Sequence, residues 1–246
     1  METNAPNMIQ ELPWEPAKQA IKDSVRFADL ATFRAHMEES LPYSSSETRG
    51  RYTRTVLKYF FPGERIETLP RRAWQAYGDE ALLEDLMRHQ FLTQEPTVAA
   101  FLVSVVLPLA PGSVLDPRTM GQFIGRIDPR GRSKMVGRLG KAIRRLGFVT
   151  WERQRNIVTQ MRPARTALLL LVHYLFAPTP RIVTVQDILA EPFWKYLGFR
   201  AEEDVRNALH EANARDLIAR YAIVEQLEQI TTRYTLEQCL EQRIRL

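Results

Sequence analysis

The sequence predicts a mainly α-helical protein: an N-terminal helical bundle followed by winged helix-turn-helix modules with short β-hairpin wings. Three observations predict it. The first 125 residues run in helical periodicity, punctuated by cap residues and by Pro- and Gly-bearing turns. Residues 132–161 then read helix, glycine stop, strand, basic turn, strand, the order of a recognition helix and its wing. After Pro180 the same order returns with different residues. The units implied are 1–125 for the bundle, 126–178 for a basic winged-helix segment with a connecting helix, and 179–246 for a second winged-helix-like module.

Taken in order, the spacing predicts an amphipathic helix over residues 25–39. In SSSETRGRYTRTVLKYFFPG, Ser44, Ser45 and Ser46 offer N-caps, Glu47 sits in the first turn, and Pro62-Gly63 ends the helix. Val56, Leu57, Phe60 and Phe61 mark its core side, while Arg51, Arg54 and Lys58 recur at helical spacing as a second, weaker basic face. Further helices are expected over residues 71–77, 80–91, 97–107 and 117–127, the last with Asp116 as cap and Pro117 in its first turn.

The next helix is expected to run from Ser133, as cap, to Leu146. At about 100° per residue, Met135, Leu139, Ala142, Ile143 and Leu146 share one side. Lys134, Arg138, Lys141 and Arg145 fall in a narrow neighbouring sector. Gly137 and Gly140 interrupt the interior at about 1 kcal/mol each against Ala, and Gly147 stops the helix. FVTWE and IVTQM read as strands around the turn RQRN. Residues 165–176 are strongly apolar, a buried connecting helix ended by APTP. VTVQDILAEPFWKYLG and AEEDVRNALHEANARDL read as two helices with a turn at 199–202. LIARYAIVEQ and QITTRYTLEQ read as the closing hairpin.

The net charge of +5 is unevenly held. Twelve Lys and Arg residues between Arg126 and Arg165 face only Asp128 and Glu152, a surplus of +10 that leaves −5 for the remainder. Such concentration points to a polyanion, and the major groove of a duplex admits one helix. The DNA contact is therefore assigned to Arg132, Lys134, Arg138, Lys141, Arg144 and Arg145, to Arg153 and Arg155 in the wing turn, and to Arg162 beyond it. Arg51, Arg54 and Lys58 supply the second face. Few Asn, Gln or Ser residues lie on the helix to read base edges, so weak sequence preference is expected. A basic stripe does not distinguish duplex types, and RNA stays open beside DNA. The last 46 residues carry nine acids against six arginines. That module is expected to stabilise the fold or make a protein contact, self-association included. The alternative is a sequence-specific tandem winged-helix transcriptional regulator or plasmid replication initiator.

Catalysis is not expected: the sequence has no phosphate-cradling Gly-rich loop, no GxSxG, no HExxH and no CxxC. The carboxylates Glu202, Glu203 and Asp204 sit at a helix start, where they favour the dipole. His36, His89, His173 and His210 lack Cys or His partners at metal-ligand spacing, so no metal or other cofactor is expected. METNAPNMIQELPWEP lacks a basic start and an apolar run, so no signal peptide is expected. The apolar stretches 99–110 and 167–177 fall short of the roughly 20 residues of a spanning helix. One cysteine, Cys239, fits a reducing compartment, and the cytoplasm is the expected location.

In SETRGRYTRTVLKYF, LLEDLMRHQFLTQEPTVAAFLVSVV and KAIRRLGFVTWERQRNIV, within residues 25–161, the chain resembles the BrxA family of small proteins from bacterial BREX phage-defence loci. The resemblance implies a mainly helical fold with winged-helix character, double-stranded DNA binding, no known catalysis, and other defence-system proteins as partners. The family's helical part is similar to an antitermination-factor bundle that binds RNA. The chain departs from the family in its longer N-terminus and in the second hairpin module after Pro180.

Overall fold

Local capping chemistry sets where the helices begin. The computed structural model describes residue 9, residues 12–127 and residues 132–246, with the side chains of Arg132 and Ser133 outside that description. α1 (Trp14–Ser24) and α2 (Leu30–Ser40) correct the single helix expected over residues 25–39. The Ser24 hydroxyl donates to the Ile21 carbonyl where α1 ends. Asp29 accepts from the Thr32 N–H at 2.9 Å and opens α2, because a short carboxylate serves a helix better as its cap than in its interior. The spacing of Trp14, Ala17 and Ile21, all buried, carries the unforeseen α1.

α3 (Ser46–Phe60) is capped by Ser45, whose hydroxyl accepts from the Thr48 N–H at 3.0 Å. α4 (Leu69–Tyr77) ends at Gly78, and Asp79 caps α5 (Glu80–Gln94). α6 (Pro96–Phe101) continues into a π turn at Leu102–Val106, closed by the Leu107 N–H on the Leu102 carbonyl. The core between these helices is aromatic. Tyr59, Phe33, Phe60, Phe61 and Phe91 are buried, and Trp14 meets Phe60 edge-on. Lys18 ties α1 to Glu80 and Glu84 of α5. Those carboxylates hold its pKa above the usual lysine range, and Lys18 with Lys22 brings Glu80 down to about 2.

Two runs of similar element order follow, each a strand, helices and a closing hairpin. The first is β1 (Val114–Leu115), α7 (Pro117–Ile127), α8 (Arg132–Arg145), β2 (Val149–Glu152) and β3 (Arg155–Val158). Its strands lie antiparallel in the order β1-β3-β2, with Val114 opposite Ile157 and Trp151 opposite Asn156. β1 precedes residue 125 in the chain, yet it pairs with β3, and α7 packs on α8. The second run is α9 (Arg165–Leu175), β4 (Ile182–Thr184), α10 (Val185–Ala190), α11 (Phe193–Tyr196), α12 (Glu202–Ala214), β5 (Ile218–Val224) and β6 (Leu227–Thr232). Its sheet order is β4-β6-β5. α9 is buried over residues 167–173 and packs against α5 and α12.

The strand expected to continue through TRYTLEQ stops at Thr232. Thr235 and Gln238 exchange hydrogen bonds in a capping box that opens α13 (Leu236–Glu241), which docks on α4 and α9. Among the described residues the chain is mainly helical, with thirteen α-helices and two small three-stranded antiparallel sheets. Among them no helix is long and apolar enough to cross a membrane.

Candidate nucleic-acid interface

α8 runs unbroken through both of its glycines. Met135, Leu139, Ile143 and Leu146 are buried and Ala142 is half-buried, as the spacing predicts. Gly140 is buried against α7, where an added Cβ would lie 3.7 Å from Met120 Sδ. Gly137 is exposed, and a Cβ there would meet nothing within 4 Å. Ser133, expected as the cap, lies inside the first turn. At the other end Gly147 takes a left-handed conformation, φ +82°. Its N–H reaches the Arg144 carbonyl, and the Phe148 N–H reaches that of Ile143, the paired bonds that turn a helix into a following strand.

The basic residues of α8 divide into two groups. Lys134, Lys141 and Arg145 are exposed. Arg138 is half-buried and donates to the Ile9 carbonyl at 3.1 Å. Arg144 is half-buried too, donating to Asn156 Oδ1 at 2.9 Å with its guanidinium 5.3 Å from the Trp151 ring centroid. Arg144 thus ties α8 to the hairpin. The side chain of Arg132 lies outside the described residues.

The β2–β3 turn is two residues long, Arg153 (φ +47°) and Gln154 (φ +63°), both left-handed as a tight primed turn requires. Its twist leaves Arg153, Arg155 and Trp151 exposed, Trp151 at 55%. Arg162 is exposed in the link to α9. Gly198 (φ +84°) packs under that link, where a Cβ would stand 3.1 Å from Met161 Cβ and 3.3 Å from the Arg162 carbonyl oxygen. Arg51, Arg54 and Lys58 are exposed on α3, with Arg51 over the Tyr52 ring and Lys58 over the Tyr59 ring.

The matching helix of the second run, α12, has a different charge pattern. Asp204 accepts from the Ala201 N–H, Arg206 pairs with Glu228 and Glu202, and Glu211 pairs with Arg165 and Arg215. These cations are neutralised by neighbouring acids.

Beside α8 lies a cavity of about 650 Å³. Arg138, Lys141, Arg144 and Arg145 line it together with Tyr43 and Tyr52, whose rings stack at 4.4 Å. A larger cavity of about 690 Å³ is mostly apolar, with Leu92, Phe176 and Phe193 in its wall and, among the described residues, no Lys or Arg. His89 borders it, and burial pushes that imidazole down to about 4. Among the described residues no group of three or more His, Cys, Asp or Glu could hold a metal ion.

Sequence reasoning misses Tyr43, Tyr52, Trp151 and Asn156 as parts of this region. Tyr52 carries a signal, an aromatic ring between Arg51 and Arg54, and Trp151 sits two residues before the basic turn. Tyr43 and Asn156 carry none that periodicity could show. No protein-family model, curated protein or solved structure matches the chain.

Proposed function

We propose that the protein is a non-catalytic, double-stranded DNA-binding protein of low sequence specificity. In this reading it works as a winged helix, with α8 as recognition helix and the β2–β3 turn as wing. One observation carries it: α8 buries an apolar stripe while Lys134, Lys141 and Arg145 stay exposed and Arg153 and Arg155 stand on the adjacent hairpin. The element order and the sheet order β1-β3-β2 agree with a helix-turn-helix carrying a small wing sheet. Cations reach phosphates without reading bases, so affinity is uniform across sequences. The face on α3 is secondary in this reading. From its resemblance to BrxA proteins, we further propose a place among bacterial phage-defence proteins of the cytoplasm.

The test is fluorescence anisotropy with a labelled duplex. Lys134→Glu/Lys141→Glu/Arg145→Glu reduces affinity at least about 100-fold at unchanged circular dichroism, since each lost phosphate contact also becomes a repulsion. Duplex affinity that survives this triple reversal sinks the assignment. Competition by RNA of equal length decides the duplex type. The repeated element order favours a second reading, a sequence-specific tandem regulator or replication initiator. The acids on α12 oppose it, and a footprint confined to one site would support it.

A further inference from the structure

The duplex contact takes Lys141 and Arg145, which also line the cavity beside α8, and leaves that cavity's aromatic residues unused. That cavity, about 650 Å³, falls in the roughly 300–1,000 Å³ range of small-ligand sites. One wall is cationic. Arg138, Lys141 and Arg145 recur about one turn apart along α8, Arg144 joins them, and among the described lining residues Glu15 is the single acid. Another wall is aromatic. Tyr43 and Tyr52 are half-buried and stack at 4.4 Å with 20° between their planes. The Arg51 guanidinium lies 5.0 Å from the Tyr52 ring centroid. A nucleotide needs this combination: a π surface for its base, and cationic donors for its phosphate. The larger cavity beside His89 offers a mostly apolar lining, without Lys or Arg among the described residues.

We propose that the cavity binds one nucleoside monophosphate unit, supplied as an unpaired nucleotide of a nucleic-acid strand. Its base lies against Tyr43 and Tyr52, and Lys141 and Arg145 hold its phosphate. The inference rests on the DNA-binding reading and sharpens it. A paired base must first leave its stack, so the preferred substrate is a duplex with a bulge or an unpaired end.

The test compares a continuous duplex, the same duplex with a one-nucleotide bulge, and dAMP. Binding of the duplexes is read by anisotropy, and that of dAMP by tryptophan fluorescence, since Trp14 lines the cavity. The bulged duplex binds about 10-fold tighter than the continuous one, the order expected for stacking one base. Tyr43→Ala/Tyr52→Ala removes that preference and leaves affinity for the continuous duplex unchanged. Both rings also pack against the bundle, so Ala142→Phe is the companion variant. Ala142 lines the cavity, and phenylalanine there puts a ring into it without removing any cation. Equal wild-type affinity for both duplexes overturns the proposal, as does a bulge preference that survives Ala142→Phe. If neither duplex binds but dAMP does, and Ala142→Phe abolishes it, the cavity takes a free nucleotide and the DNA-binding reading fails. If continuous duplex binds with neither bulge preference nor dAMP binding, that reading stands and the cavity proposal falls.

Discussion

Salt is the sharpest perturbation of a phosphate-reading surface, because every phosphate neutralised releases condensed counterions. Lys134, Lys141 and Arg145 on α8, with Arg153 and Arg155 on the β2–β3 hairpin, make up the exposed patch. At about 0.9 per contact, these side chains give a slope of about −4.5 for log affinity against log salt concentration. Raising salt from about 50 to about 200 mM then weakens binding roughly 500-fold. Arg153→Gln/Arg155→Gln brings the slope to about −2.7, and Lys134→Gln/Lys141→Gln/Arg145→Gln to about −1.8. The assay is anisotropy of two unrelated duplexes across a salt series, and the two sequences give one slope. A wild-type slope shallower than about −2, or one slope shared by wild type and both variants, refutes the reasoning. Arg144→Ala makes an informative control. Its guanidinium is engaged with Asn156 and Trp151, so the change loosens the hairpin and leaves the slope nearly intact.

Three further outcomes follow from the fold. Gly137→Ala puts a methyl group into open space on an exposed helix and stabilises by about 0.5–1 kcal/mol, seen as a higher Tm; a lower Tm contradicts the geometry of α8. Gly198→Ala forces an alanine into a left-handed backbone against Met161 and the Arg162 carbonyl, costing about 1–3 kcal/mol in urea melts; an unchanged midpoint would count against that contact. His89 and His173 are buried and held down to about 4, so the folded state keeps them neutral. Their contribution is full above about pH 6.5 and is lost as pH falls towards 4, by at most roughly 3 kcal/mol each. Urea melts from pH 7 to 4.5 show the decline, and His89→Leu makes it shallower; an identical pH profile in that variant removes His89 as a cause.

The division of labour between sequence and structure is clearest on α8. Its apolar stripe, the stop at Gly147 and the caps at Ser45 and Asp116 are legible because each is settled within a turn or two of chain. The charge map is legible for a simpler reason: formal charges add regardless of fold. The helices at residues 14–24 and 236–241 are not legible, since short amphipathic runs beside prolines and strands give little periodicity to count.

By itself, then, the sequence determined a mainly helical chain with one concentrated basic segment, its helix, its turn and its apolar face. Only the tertiary structure decided which of those cations point outward. Arg138 finds the Ile9 carbonyl across 129 positions and Arg144 finds Asn156 across 12, while Lys134, Lys141 and Arg145 stay exposed. It also set Tyr43 and Tyr52 in the cavity beside α8 and drew Val114 and Leu115 into one sheet with β2 and β3. Local free energies follow neighbouring residues, but a side chain's partner across the fold is chosen by packing among elements that no period in the sequence records.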